Sequence, residues 1–143
     1  MFENNFAKTQ TYRLLKEAFA AECYAERRFK IFAKIARDEG LPGVETVFNE
    51  LAHSQGHHAD SHLDMLKNSD EKYYGFKIGN TRENMQTALG TELLEADECT
   101  GLLKAARDEK MEKIAERIES ITLDEMSHIH RLNALLNDNI SLS

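Results

Sequence analysis

The chain has no tryptophan, one proline (Pro42) and only two cysteines in 143 residues. Cys23 and Cys99 lie far apart and neither belongs to a C-x-x-C, which argues against a disulfide framework or a four-thiolate iron centre. Cysteine this sparse makes a reducing cytoplasm the expected compartment. The opening residues, MFENNFAKTQ, lack the basic and then apolar pattern of a signal peptide. No run approaches the roughly 18 apolar residues of a membrane span. Positive charge is also short: 18 Lys and Arg face 25 Asp and Glu, a formal net charge of -7. That balance argues against a nucleic-acid partner bound by broad phosphate neutralisation. With so few breakers and aromatics, long helices are the natural use of the chain.

Apolar residues recur at helical spacing in four stretches. The first runs from about residue 8 to 39, with Leu15, Phe19, Phe29, Phe32 and Ala36 on one face, and ends at Gly40. Pro42 suits the first turn of a second helix, where its missing N–H would be unpaired anyway. That helix, about 42–67, carries Val47, Phe48, Leu51, Met65 and Leu66. NSDEKYYGFKIGN reads as a long crossover. A third helix, about 81–108, carries Met85, Leu89, Leu102, Leu103 and Ala106. A fourth, about 112–137, carries Ile114, Ile118, Ile121, Leu132 and Leu136. The expected fold is all-α: a single domain over 1–143, forming a four-helix bundle with one long crossover.

The third-to-fourth connection has no sequence breaker, since DEKMEK contains neither Gly nor Pro. An internal repeat predicts the turn. A shift of 70 residues places ARDE at 36–39 on ARDE at 106–109, Glu22 on Glu92, Leu51 on Ile121 and His58 on His128, without a gap. The chain reads as a duplicated helical hairpin, and the second copy should turn where the first does.

Several charged residues fall on the apolar stripes. Glu22 lies between Phe19 and Phe29; Glu92 and Glu95 lie between Leu89 and Leu102; Glu125 and His128 lie between Ile121 and Leu132; Gln55 and His58 follow Leu51. A buried carboxylate costs several kcal/mol unless it is paired or metal-bound. No Lys or Arg lies on these stripes, so converging carboxylates and histidines call for a shared cation. Glu125-Met-Ser-His128 is an i, i+3 pair on one helix face. A Glu from each of two helices plus Glu-x-x-His from the other two is the ligand set of ferritin-like dimetal bundles. Glu22 to Gln55 and Glu92 to Glu125 are both 33 residues. The second helix therefore presents Gln55-Gly-His-His58 at the motif position; the rival register is Glu50-Leu-Ala-His53.

These blocks resemble the rubrerythrin family, specifically its ferritin-like diiron domain without the rubredoxin domain. AFAAECYAERRFKIFAKIARDEG is similar to the family's first-helix block, with Glu22 in the ligand position. ELLE at 92–95 matches its G-E-x-x-E block, with Thr91 in place of the glycine. DEMSHIHRL matches its closing E-x-x-H. Glu95, which has no counterpart at Ala25, reproduces the family's carboxylate asymmetry. Two departures stand out. Gln55 occupies the position of a metal-bridging carboxylate, and Phe29 and Thr100 stand where tyrosines are expected. The resemblance implies metal ligands Glu22, His58, Glu92, Glu95, Glu125 and His128, with Gln55 a weak ligand or a neighbour of the ligands.

Of six histidines, four lie in AHSQGHHADSH. His62, one turn beyond His58, is expected to cap the core, the alternative being a weak ligand or a contact to a ligand. His53 and His57 are expected on a solvated face or subunit contact rather than on a surface zinc, and His130 in solvent. Cys99 is expected as a small buried hydrophobe, with contact to the metal ligands as the alternative. Cys23 should point away from Glu22. Tyr24, Tyr73 and Tyr74 are expected to pack, and Arg27, Arg28, Arg37 and Arg107 to be solvated or interhelical. Gly90 and Gly101 permit close helix approach or leave room for a small oxidant.

The resemblance implies an oxidoreductase whose two metal ions, iron in the first instance with manganese or zinc as alternatives, reduce hydrogen peroxide. Dioxygen is the other small oxidant to consider. Electrons must come from an external donor such as a rubredoxin-like protein, because the chain has no C-x-x-C centre. The alternative is a ferritin-like iron-binding or ferroxidase protein without efficient peroxide turnover; a structural oligomer with a degenerate site is a third reading. A homodimer, with or without exchange of hairpins, is implied, and no membrane or nucleic-acid partner.

Overall fold

The computed structural model describes residues 3–67 and 78–138. After a 3-10 helix over Glu3–Lys8 come four helices: α1 (Gln10–Asp38), α2 (Pro42–Leu66), α3 (Thr81–Asp108) and α4 (Glu112–Asn137). There is no strand among the described residues, and no helix long and apolar enough to cross a membrane. α1 pairs with α2 and α3 with α4, and the two hairpins are separate compact units. Most of the expected crossover, with Tyr73 and Tyr74, lies outside the described residues.

Helix ends follow local chemistry. α1 starts two residues later than its periodicity predicts, because the Thr9 hydroxyl accepts the Tyr12 N–H at 3.0 Å and caps it. α2 opens on Pro42, as expected. α3 opens on a capping box in which Asn80 accepts the Glu83 N–H and Glu83 accepts the Asn80 N–H.

The two interhelical turns are copies. In the first, Gly40 adopts φ 73°, and the Gly40 and Leu41 N–H groups donate to Arg37 and Ala36 carbonyls. Seventy residues on, Lys110 adopts φ 59°, and the Lys110 and Met111 N–H groups donate to Arg107 and Ala106. Carbonyls at the end of each first helix are thus satisfied by one left-handed residue, the usual αL stop. The second copy reaches it without glycine.

Small residues set the helix spacing. In the first hairpin Ala33, Ala36, Ala52 and Ala59 are buried, and Phe29, Phe32 and Phe48 meet at ring-centroid distances of 5.4–6.4 Å. In the second, Ala106, Ala115 and Ile118 are buried against Cys99 and Leu103. Each hairpin, taken by itself, leaves a further apolar face exposed. Val44, Val47 and Leu51 lie on it in α2, and Ile114 and Ile121 in α4. The helices therefore divide their apolar residues between two faces, where the sequence suggests one stripe each.

A side chain at positive φ costs about 1–2 kcal/mol, part of which glycine returns as backbone entropy. Lys110→Gly should therefore stabilise the protein by about 0.5–1 kcal/mol, and Gly40→Ala should destabilise it by about 1 kcal/mol, read from urea midpoints. No change in either would mean that the left-handed turns do not limit stability.

Candidate metal centre

In the first hairpin the candidate ligands gather around Glu22, which α1 turns toward α2. Its Oε2 accepts the Nδ1–H of His62, while Nδ1 of His58 lies 3.8 Å from Oε1. His58 and His62 are one turn apart on α2 and reach Glu22 together. Of the two expectations for His62, the structure shows the contact to a candidate ligand: it meets the Glu22 carboxylate more closely than His58 does. His53, the histidine of the rival register, faces His57 instead; both His53 and His58 are exposed. Gln55 is half-buried one turn before His58. Glu26, one turn after Glu22, is spoken for: Lys30 donates to it at 2.7 Å, and this bond and charge hold its carboxyl below the usual range. Cys23 is exposed.

In the second hairpin Glu125 is the one charged side chain buried among the described residues, 7% exposed. The Cys99 thiol donates to its Oε1 at 3.4 Å, and its Oε2 is buried with no partner. Glu92, on α3, accepts at 3.1 Å from Nδ1 of His128 on α4. Burial pushes the Glu95 carboxyl up, and the charges of Glu92, Glu125 and Glu98 push it further. Nothing lowers it. Burial, followed by the bond to Glu125, also raises the Cys99 thiol, so it stays protonated and able to donate. Cys99 is thus a hydrogen-bonding neighbour of Glu125 and not simply a small hydrophobe. Its position one turn from Glu95 was the signal that found it.

Among the described residues, no three His, Cys, Asp or Glu side chains are gathered tightly enough to enclose a metal ion. Glu22 is brought together with His58 and His62, Glu92 with His128, and Glu125 with Cys99, near Glu95. The donors nevertheless fit a divalent cation. Glu125 buries an oxygen that no described residue satisfies, an arrangement that costs several kcal/mol without a counter-charge. Glu95 is surrounded by like charge. His128 Nδ1 and Glu92 Oε2 are within hydrogen-bond distance at 3.1 Å, and a metal ion would take the place of that proton once the ring nitrogen is deprotonated. His130 is exposed, as expected.

Residues 13–136 match the family model for rubrerythrin. The chain is 30% identical to a rubrerythrin of Porphyromonas gingivalis over 135 residues, covering 91% of this chain and 66% of that one. It is 30% identical to rubrerythrin-2 of Clostridium acetobutylicum over 113 residues, covering 75% of this chain and 61% of that one. The chain thus spans about two thirds of the length of these relatives.

The raised Glu95 carboxyl carries a stability consequence. Folding raises its affinity for a proton, so the metal-free protein loses this contribution as pH rises from the ordinary carboxylate range through the raised value. Glu95→Gln should stabilise metal-free protein at neutral pH, by under about 1 kcal/mol given solvent screening. The gain should vanish below the ordinary carboxylate range. Thermal midpoints of both forms across pH check this; a gain that persists in acid would point to packing instead of charge.

Proposed function

Because the chain belongs to the rubrerythrin family, an all-α, ferritin-like family with a non-haem diiron centre, we propose that it reduces hydrogen peroxide with electrons from a separate donor. The observation that carries this reading is Glu125, a buried carboxylate with one unpartnered oxygen beside Glu92 and Glu95. The proposed ligands are Glu22 and His58 from the first hairpin and Glu92, Glu95, Glu125 and His128 from the second. Four carboxylates balance two divalent ions. The chemistry such a ferrous pair supplies is two electrons together, matching cleavage of one O–O bond.

The chain's own residues orient the donors. The Cys99 thiol fixes one oxygen of Glu125 and leaves the other free. The His62 Nδ1–H holds one oxygen of Glu22, which turns the other toward His58. A hydrogen-bonded second layer of this kind sets ligand direction and basicity. Gln55, an amide at the position of a bridging carboxylate, supplies an oxygen but no charge.

The wider reading is one domain over 1–143, acting as a homodimer in the cytoplasm with a rubredoxin-like donor. What supports it is membership of the rubrerythrin family. A second reading, iron binding and oxidation without efficient peroxide turnover, is favoured by Gln55. Iron is the proposed metal over manganese or zinc because only iron among them serves both readings.

Two measurements test this. Chelator-stripped protein titrated anaerobically should take up two ferrous ions per full ligand set. Stopped-flow mixing with peroxide should then oxidise the loaded form faster than dioxygen does; a faster reaction with dioxygen would favour the second reading. Gln55→Glu restores an anion, so it should tighten the weaker ion by roughly tenfold or more and speed oxidation by peroxide. Equal affinity and equal rate would place Gln55 away from the metals and return the register to Glu50 and His53.

A further inference from the structure

The histidines of α2 divide between two directions. His58 and His62 reach Glu22 on α1, whereas His53 and His57 lie one turn apart on an exposed face. Their rings cross at 84° with centroids 4.5 Å apart, and the two Nε2 atoms approach to 3.1 Å. We propose that His53 and His57 form a second metal site, on the surface of α2, which binds a divalent transition ion such as nickel, copper or zinc through both Nε2 atoms.

Three observations carry the proposal. The first is the bite. Metal–imidazole bonds of about 2.0–2.1 Å to nitrogens 3.1 Å apart subtend roughly 95–102° at the ion. That lies between the octahedral and tetrahedral ligand angles. The second is preorganisation. Residues four apart on a helix are neighbours, so the second imidazole reaches the ion without further ordering of the chain. As a hydrogen bond alone, the contact joins two solvent-exposed rings and gains little against water.

The third is the local field. α2 contains no Lys or Arg from Pro42 to Leu66, but it contains Glu45, Glu50, Asp60 and Asp64. Glu50 lies one turn before His53 and Asp60 one turn after His57, on the same side of the helix. A cation bound between the histidines is flanked by negative charge and by no competing positive side chain of its own helix.

The donor set also selects the metal. Imidazole suits nickel, copper and zinc, and divalent affinity rises from ferrous iron toward copper. Hard calcium and magnesium prefer oxygen cages. With two protein ligands and water at the remaining positions, the ion is exchangeable, and the site is independent of the carboxylate-rich centre.

Nickel titration of the chelator-stripped full chain tests the proposal, by calorimetry, beside His53→Ala, His57→Ala and His58→Ala. Both His53 and His57 are exposed, and alanine favours helix, so circular dichroism should show all helices intact. The wild type and His58→Ala should share one nickel site that His53→Ala and His57→Ala each weaken on the order of tenfold or more. Copper added to the wild type should give electron spin-echo modulation from two imidazoles, reduced to one in either single variant. Unchanged nickel binding in His57→Ala would overturn the proposal. Loss of the shared site in His58→Ala, with retention in His57→Ala, would overturn it too and assign the nickel to the centre near Glu22.

Discussion

The second hairpin concentrates negative charge that its described residues leave partly unpaired. Glu125 is buried with an oxygen that no donor among the described residues reaches, and Glu95 is destabilised as an anion by burial and by three neighbouring carboxylates. An apolar residue at either position would pack more favourably. Retaining carboxylates on an inward helix face makes physical sense when a cation shares them, and metal binding then returns free energy that the metal-free fold forgoes. The small residues follow from the same constraint. Ala33, Ala52, Ala106 and Ala115 let each pair of helices approach closely enough for side chains on one to reach carboxylates on the other.

The repeat determines how those carboxylates are presented. Both hairpins turn through one left-handed residue with the same pattern of backbone bonds, so matched positions after the turn stay in register. A slip of one residue would rotate α4 by about 100° and carry Glu125 off the inward face. That is why a strained Lys110 is tolerable at the second turn: the angle of the hairpin matters more than the local preference of the residue that makes it.

The four helices and the glycine-free turn were legible in the sequence because both are properties of spacing. Periodicity places a residue on a face, and the shift by 70 residues transferred Gly40's role to Lys110 where composition gave no hint. Spacing was also sufficient to put Glu22 with His58 and Glu92 with His128. It was insufficient wherever the outcome depends on a rotamer. His62 and His58 share a face, and only side-chain torsions decide that His62 makes the shorter contact to Glu22. The same holds for Cys99 on Glu125 and for the meeting of His53 with His57. The division of apolar residues between two faces was hidden for another reason: a single helix reports how wide its apolar stripe is, but not which part its hairpin partner covers.

The two copies have diverged in opposite chemical directions around a shared frame. By the repeat, Gln55 corresponds to Glu125, Ala25 to Glu95 and His62 to Leu132. The first hairpin thus offers one carboxylate, an amide and two imidazoles; the second offers three carboxylates and one imidazole. Imidazole and amide donors are neutral when they bind, so nearly all the repulsion in the metal-free protein belongs to the second hairpin. His62 gains meaning from this asymmetry. It donates to Glu22, the single carboxylate among the candidate ligands of the first hairpin. Its counterpart Leu132 faces no such demand, because in the second hairpin Glu92 already has His128 and Glu125 already has Cys99. An imidazole at position 62 and a neutral amide at position 55 are in this sense complementary: with no carboxylate at Gln55, Glu22 takes its direction from a fixed hydrogen-bond donor.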